Sequence, residues 1–458
     1  MQTVNPQFTD LCLFDDEPVL QAINRVESSR IQIAFVLDRT ERLVGVVTNG
    51  DVRRFLLDGG QPSDNVKKCM NPNFRSAPDG ATREELLKML DLGFNAVPKI
   101  DADGHLIDVI SPEHMPTAPE AAVLTRSRAP VRVSFGGGGS DLTYFFVDHP
   151  GAVLSTTISL FCHVTLIPRT DGEIHLHSDD LQTYQRYESM ADLKVNLDQT
   201  SLLAATVFVI RPTAGFDLYV RSDFPIGSGL GGSSAVTTAI VAAFNELRLD
   251  RWTTYEIAEV SFQAERLYFG VAGGWQDQYA SAFGGFNLIE FDGSRNLVHP
   301  IRLDPATVNE LEECLILCDT QIAHESGEIH KEQRKAFGAE KKANQLKDVV
   351  DLCRKMHRHL IRGELIDFGR SLHAAWQLKR GFAASVTNSH VDDIYTAAIA
   401  AGALGGKLLG AGGGGFFLFF VQPRFRKAVT ESLRNAGCRI SAFRFESQGV
   451  TSWRTKLI

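Results

Sequence analysis

The sequence predicts an α+β protein, with a catalytic part of two lobes and a cleft between them, preceded by a smaller repeated module. Three observations predict it. Apolar strand-like runs and amphipathic helical stretches alternate from residue 128 onward. Three glycine clusters, at 136–139, 227–232 and 410–415, each adjoin one of those elements. The first 118 residues repeat themselves: Ala34-Phe-Val-Leu-Asp38 with Arg42-Leu-Val-Gly-Val-Val-Thr48 returns 63 residues later as Val97-Pro-Lys-Ile-Asp101 with His105-Leu-Ile-Asp-Val-Ile-Ser111.

Each copy of the repeat reads as an amphipathic helix (19–26, then 84–92), a strand, a turn at the acidic residue, a second strand, and a Thr or Ser. Residues 115–127 hold two prolines, small residues and no periodicity, which places a linker at 119–127. Beyond it, 151–168 reads as two strands, 201–208 as a short helix and 216–222 as a strand. Helices are expected over 236–247, 254–269, 332–362 and 390–401, and buried strands over 311–319 and 416–421.

Composition excludes several classes. A chain of 458 residues is too long for one core. A net charge of −8 without any basic block argues against a nucleic-acid partner. Seven scattered cysteines (Cys12, Cys69, Cys162, Cys314, Cys318, Cys353, Cys438) form no paired ligand motif and read as reduced thiols, with Cys314 and Cys318 inside a buried strand. The start, Met1-Gln-Thr-Val-Asn-Pro6, is neither basic nor apolar, and no ~20-residue apolar span follows, so a cytoplasmic protein without a membrane segment is expected. No histidine pair has the HxxxH or HExxH spacing, which sets zinc chemistry aside.

The chemistry lies in the glycine clusters. Pro225-Ile-Gly-Ser-Gly-Leu-Gly-Gly-Ser-Ser-Ala235, followed by an apolar helical stretch, reads as a phosphate cradle. Its glycines (Gly227, Gly229, Gly231, Gly232) let backbone N–H groups approach a polyanion, and the helix adds its dipole. No Lys-Ser or Lys-Thr follows, so it is not a Walker loop. Upstream, Arg128-Ala-Pro-Val-Arg-Val-Ser-Phe-Gly-Gly-Gly-Gly-Ser-Asp-Leu142 carries a strand into four glycines and a carboxylate. Near the end, Gly405-Gly-Lys-Leu-Leu-Gly-Ala-Gly-Gly-Gly-Gly-Phe-Phe-Leu-Phe-Phe420 carries glycines into a strand.

In this order the three clusters resemble the motifs of the GHMP small-molecule kinases over residues 125–458, most closely the sugar-kinase branch of D-glycero-D-manno-heptose 7-phosphate kinase. The N-terminal repeat resembles a CBS pair, a tandem module that binds adenine nucleotides. The resemblance implies a CBS pair at 1–118, an ATP-binding lobe of the ribosomal-protein S5 type at 128–300 and a ferredoxin-like lobe at 301–458. It also implies ATP and Mg²⁺, a sugar or sugar-phosphate acceptor, and a homodimer by analogy with other CBS proteins.

Carried onto this sequence, the cradle is Pro225, Gly227, Ser228, Gly229, Leu230, Gly231, Gly232, Ser233 and Ser234. Ser233 and Glu265 are the implied metal contacts; Ser234 stands where relatives usually have Ala. Asp277, in Gly270-Val-Ala-Gly-Gly-Trp-Gln-Asp277, is the expected catalytic carboxylate, either as base or as a group that orients the acceptor hydroxyl, with helix capping as its structural alternative. Arg132 is the expected cation at the developing charge; pairing with Asp277 would favour the orienting role. Gly139, Ser140 and Asp141 are expected at the sugar, and Gly413 and Gly414 over the acceptor or the γ-phosphate. Lys379 and Arg380 are either a sugar-phosphate grip or a helix-end charge pair. Thr48 and Asp51 are the implied CBS nucleotide contacts, although Asp51 equally suits a helix cap. The second copy ends Ser111-Pro-Glu-His114 without the Asp, so at most one such site is expected.

The segment 319–326 departs from the heptose kinases' usual Tyr-Thr-Gly, which leaves a hexose or deoxyhexose 1-kinase open as an alternative. A catalytically idle sensor of nucleotide and sugar is the alternative from another class.

Overall fold

The two copies of the N-terminal repeat fold alike. Ile33–Leu37, apolar at every position, is buried throughout, and it pairs antiparallel with Leu43–Thr48, which is buried at alternate residues. Val97–Ile100 and Leu106–Ile110 repeat the arrangement, with the register shift between Val36 and Leu37 recurring between Lys99 and Ile100. Each sheet gains a short parallel strand, Cys12–Phe14 or Ala77–Pro78, and each copy has its expected helix, Val19–Ser28 or Arg83–Asp91. After the second strand they part: Thr48 starts helix Asn49–Leu57, whereas Ser111 and His114 exchange main-chain hydrogen bonds in a tight turn.

This computed structural model describes residues 6–115, 123–197, 201–322 and 340–456. The chain divides into two compact units, Met1–Ala121 and Ala122–Ile458.

In the second unit, strands Val123–Gly136 and Gly151–Pro168 pair along almost their whole lengths and form the spine of a nine-stranded sheet. Residues 123–127, read above as linker, are therefore strand, and 119–122 lie outside the described residues. The polar composition hid the strand: the Thr125 and Ser127 hydroxyls are buried and donate to the Ala243 and Ala239 carbonyls of helix Gly232–Asn245. Residues 151–168 form one strand instead of two, made irregular where Val131 follows Pro130 in its partner.

The remaining elements form the order strand Leu315–Asp319, helices, strands Ala403–Leu408 and Phe416–Val421, helix Arg426–Asn435, strand Arg439–Ser441. The sheet is antiparallel with Leu315–Asp319 between Phe416–Val421 and Arg439–Ser441, a βαββαβ ferredoxin-like lobe. Its apolar run starts earlier than the strand does. Asp304 caps a helix, Pro305–Cys314, so residues 311–314, read as strand, are its last turn and Cys314 is helical. Leu311 and Cys314, three apart around the polar Glu312 and Glu313, are the buried residues of that turn, a helical spacing. The lobe boundary at 301–458 also fails at its far end, because Phe445–Glu446 and Thr451–Lys456 return to the nine-stranded sheet, the latter pairing with Val123–Gly136. The expected 254–269 helix turns π-helical over Gln263–Tyr268, and the expected 332–362 helix is described from Glu340 to Ile361.

All seven cysteines are free and buried. No described helix is long and apolar enough to cross a membrane.

Candidate active site

Strand Phe216–Ser222 delivers the chain into the cradle, and helix Gly232–Asn245 begins at Gly231 with φ 78° and no side chain capping its first turn. Its first amides have no internal acceptor and point the positive end of the helix outward. They open onto a cavity of about 460 Å³ lined by Pro225, Gly227, Ser228, Gly229, Gly231, Gly232 and Ser233. The third glycine cluster reaches the same place. Gly410 packs on Gly229 so closely that a Cβ on Gly410 would lie 2.6 Å from the Gly229 Cα.

Asp277 lines this cavity from the first turn of helix Gln276–Phe283. It does not cap that helix. Its Oδ1 accepts from Arg132 Nε at 2.8 Å, Nη2 lies 2.7 Å from the same oxygen as an ion pair, and the guanidinium donates again to the Gly229 carbonyl at 2.7 Å. Both side chains are largely buried, 5% and 16% exposed, so the pair is poorly screened. Among the described residues Oδ2 has no hydrogen-bond partner. The arrangement fixes a carboxylate by one oxygen and leaves the other for a ligand.

Glu265 is fully buried behind Ser233. Its carboxylate accepts from the Ser233 and Ser234 hydroxyls and from Gln278 Nε2, and Arg266 Nη1 lies 3.2 Å away. Ser234, named above in the cradle, instead holds Glu265, and neither Ser234 nor Leu230 lines the cavity. The Leu230 side chain is core, while its carbonyl accepts from Arg132 N at 3.0 Å.

The expected sugar contacts divide. Gly139 and Asp141 line the cavity. Asp141 accepts from Gly139 N and from Gln276 N and Nε2, and burial, with the charge of Asp277 second, pushes its carboxyl above the usual range. Gly274 must lack a Cβ, which would meet Asp141 Oδ2 at 1.8 Å. Ser140 is buried structure: its hydroxyl donates to the Gly137 and Ala152 carbonyls and accepts from Ala152 N. Gly413 and Gly414 also lie off the cavity, since the Gly413 amide is tied to the Val386 carbonyl and Gly414 packs on Ile322; Gly410 and Ala411 line it instead. Lys379 lines the cavity, but Arg380 turns away to Asp392 at 3.0 Å, a helix-end ion pair. Lys407, Ser134 and Gln276 were missed by sequence reasoning although they line the same cavity and all stand inside quoted motifs; strand alternation from Arg132 was the signal for Ser134.

In the N-terminal unit Thr48 caps helix Asn49–Leu57 and Asp51 is the third helical residue, completing a capping box by accepting from Thr48 N at 2.9 Å and from its hydroxyl at 2.6 Å. Outside the cavity, His175, His177 and Asp217 bring ligand-type atoms within 4.8 Å of one another. Asp217 is held by Arg169, and His175 contacts both Asp217 and Glu173, so they belong to an ion-pair lattice.

A helix N-terminus left open for an anion, facing a carboxylate oriented by a guanidinium, suits phosphoryl transfer from a nucleotide to a hydroxyl. Residues 200–285 match the family model for the GHMP kinases N terminal domain, residues 356–437 that for GHMP kinases C terminal, and residues 8–58 that for the CBS domain. The D-glycero-alpha-D-manno-heptose 7-phosphate kinase of Campylobacter jejuni is 35% identical over 72% of this chain and 98% of its own length. A crystal structure of a D-glycero-D-manno-heptose 1-phosphate kinase from Bacteroides thetaiotaomicron superposes with a TM-score of 0.60 at 29% identity, over 72% of this chain and 98% of that one. The L-fucokinase/L-fucose-1-P guanylyltransferase of Bacteroides fragilis is 26% identical over 70% of this chain, which spans 38% of that protein. The fold and site define an ATP-dependent phosphotransferase. The chain belongs to the GHMP kinase family, as a sugar kinase with a CBS domain at its N-terminus.

Proposed function

We propose that this sugar kinase transfers the γ-phosphoryl group of ATP to the anomeric hydroxyl of a heptose phosphate, with D-glycero-D-manno-heptose 7-phosphate as the leading acceptor. The observation that carries the reading is Asp277, held by Arg132 through one oxygen and open at the other, in the same cavity as the cradle. The two heptose kinases compared above both carry names that specify a phosphorylated heptose.

The acceptor oxygen forms a bond to the γ-phosphorus as the bond to ADP breaks, and the hydroxyl proton leaves to Asp277 or after transfer. Asp277 Oδ2 takes the hydroxyl's hydrogen bond and aims its lone pair in line, while Arg132 keeps the carboxylate in place and offers positive charge to the group in flight. Asp141 and Gln276, in the same cavity, grip sugar hydroxyls. Ser233, oriented by Glu265, suits a hard divalent cation as an oxygen donor beside the phosphates, where Mg²⁺ neutralises charge.

The test is ADP release from Mg·ATP across free and phosphorylated sugars. Turnover confined to heptose phosphate is the expected result, and turnover with free fucose or another hexose instead discards the heptose assignment; the fucokinase similarity makes that the second reading. No turnover with any acceptor would leave the sensor reading.

The CBS domain is proposed as a regulatory adenine-nucleotide site around Thr48 and Asp51, with the capping box as part of its wall. AMP or ATP is then expected to change the turnover rate of the full chain, and deletion of residues 1–118 to abolish that effect. A response that survives the deletion assigns it elsewhere.

A further inference from the structure

Two lysines enter the cavity wall without a carboxylate. Lys379, in the last turn of helix Leu365–Arg380, donates to the Leu408 and Gly410 carbonyls at 2.8 and 2.6 Å. Lys407, on strand Ala403–Leu408, donates to the Ser134 carbonyl at 2.8 Å. An ammonium has three donors, so one on Lys379 and two on Lys407 are unspent. Among the described residues neither lysine forms an ion pair. Beside them the Ser134 hydroxyl is buried with no hydrogen-bond partner, two residues along the strand from Arg132 and hence on the same face. All three residues line the cavity.

A half-buried cation at Lys379, a buried one at Lys407 and an idle buried hydroxyl are unfavourable unless something compensates them. Burial pushes the Lys379 ammonium well below the usual lysine range and the Lys407 ammonium to about 8, with the neighbouring positive charges adding to both shifts. The charged groups around Lys407 are Arg132 and Lys379, which repel it, and Cys353 and Asp141, whose anionic forms would attract it. Burial raises the Asp141 carboxyl, whose oxygens are taken by Gly139 N and Gln276, and drives the Cys353 thiol up to about 12, so neither is an ion-pair partner that gives the lysines a negative charge. A ligand must supply it.

We propose that Lys379, Lys407 and Ser134 form a second anion seat, apart from the glycine cradle, that holds a tetrahedral phosphoryl dianion. This rests on the sugar-kinase reading, which offers two sources for that group: the phosphate ester of the acceptor, or the γ-phosphoryl of ATP poised for transfer. Arg380, spent on Asp392, takes no part.

The test measures binding to the full chain by calorimetry, one ligand at a time: D-glycero-D-manno-heptose 7-phosphate against unphosphorylated heptose, and Mg·ATP against Mg·ADP. Lys407→Met is expected to weaken one phosphoryl-bearing ligand by about tenfold or more while its counterpart lacking that group binds as before. Loss confined to heptose phosphate assigns the seat to the acceptor, and loss confined to ATP over ADP assigns it to the γ-phosphoryl group. Unchanged affinity for all four ligands, or equal loss for all four, overturns the seat. Ser134→Ala guards against a misfolded lysine variant: it removes a hydroxyl with no internal partner and should lower the same affinity severalfold at unchanged melting temperature, and no change in affinity overturns the proposal. In the wild type the same affinity is expected to fall as pH rises through about 8, where Lys407 loses its charge. If heptose phosphate proves not to be the acceptor, the kinase reading changes, but the ATP and ADP titrations still decide the seat.

Discussion

Asp277→Asn lowers kcat by roughly a hundredfold to ten-thousandfold, the range expected for a positioned acid–base group, and leaves Mg·ATP affinity within about threefold of wild type. The asymmetry of the carboxylate carries this expectation. Asp277 Oδ1 is committed to Arg132, so the chemistry depends on Oδ2. Asparagine keeps the shape and an acceptor oxygen but has no charge to hold the guanidinium in place. A residual activity near one per cent would mark an orienting role, because a neutral amide can still accept the hydroxyl's hydrogen bond, and loss to background would mark proton abstraction. Rapid-quench turnover with ATP titrated separately reads both quantities. A kcat within threefold of wild type would remove Asp277 from the mechanism.

How much of this site the sequence disclosed depended on whether a residue's partner was local. The cradle was legible because glycine spacing and the helix behind it lie within twenty residues, and the structure places seven of its nine named residues on the cavity wall. The Arg132–Asp277 pair spans 145 positions, and a motif can only suggest it. Ser140 was expected at the sugar and Ser234 in the cradle because the groups that consume their hydroxyls, the Ala152 main chain and Glu265, are brought in by folding. Lys407 was missed for the opposite reason. Within Gly405-Gly-Lys-Leu-Leu it reads as an ordinary polar residue among glycines, but in the fold it is 5% exposed and bonds to the Ser134 carbonyl, 273 positions upstream.

The fold followed the same division. The N-terminal repeat was readable from self-comparison, and its register shift recurs at the matching position. Thr125 and Ser127 misled because buried hydroxyls that bond to helix carbonyls look in sequence like linker residues. The return of Thr451–Lys456 to the first lobe has no local signature, since its partner strand lies more than 300 positions upstream. Its anchors, Arg454 on the Glu246 carbonyl and Ser452 on the Glu246 carboxylate at 2.9 Å, lie 208 and 206 positions from their partner.

Glu265→Ala should damage stability as well as rate, and Ser233→Ala separates the two effects. The Glu265 side chain is fully buried with four groups directed at it, Ser233, Ser234, Gln278 and the largely buried Arg266. Removing it strands the Arg266 charge and leaves the Ser234 hydroxyl and Gln278 amide without their acceptor, a loss on the order of 3–5 kcal/mol for breaking a buried pair from one side. The melting transition of the catalytic unit is therefore expected to fall by several degrees, and kcat to fall with it because Ser233 loses its orientation. Ser233→Ala leaves Glu265 with three of its four contacts, so its melting temperature stays close to wild type. If Ser233 serves the metal, this variant loses activity in a way that added Mg²⁺ partly restores, which a purely structural serine would not do. Melting curves with and without Mg·ATP, together with rates over a Mg²⁺ series, read the comparison. Equal Mg²⁺ dependence in wild type and Ser233→Ala would confine the Ser233–Glu265 pair to holding the cradle helix against the π-helical turn Gln263–Tyr268.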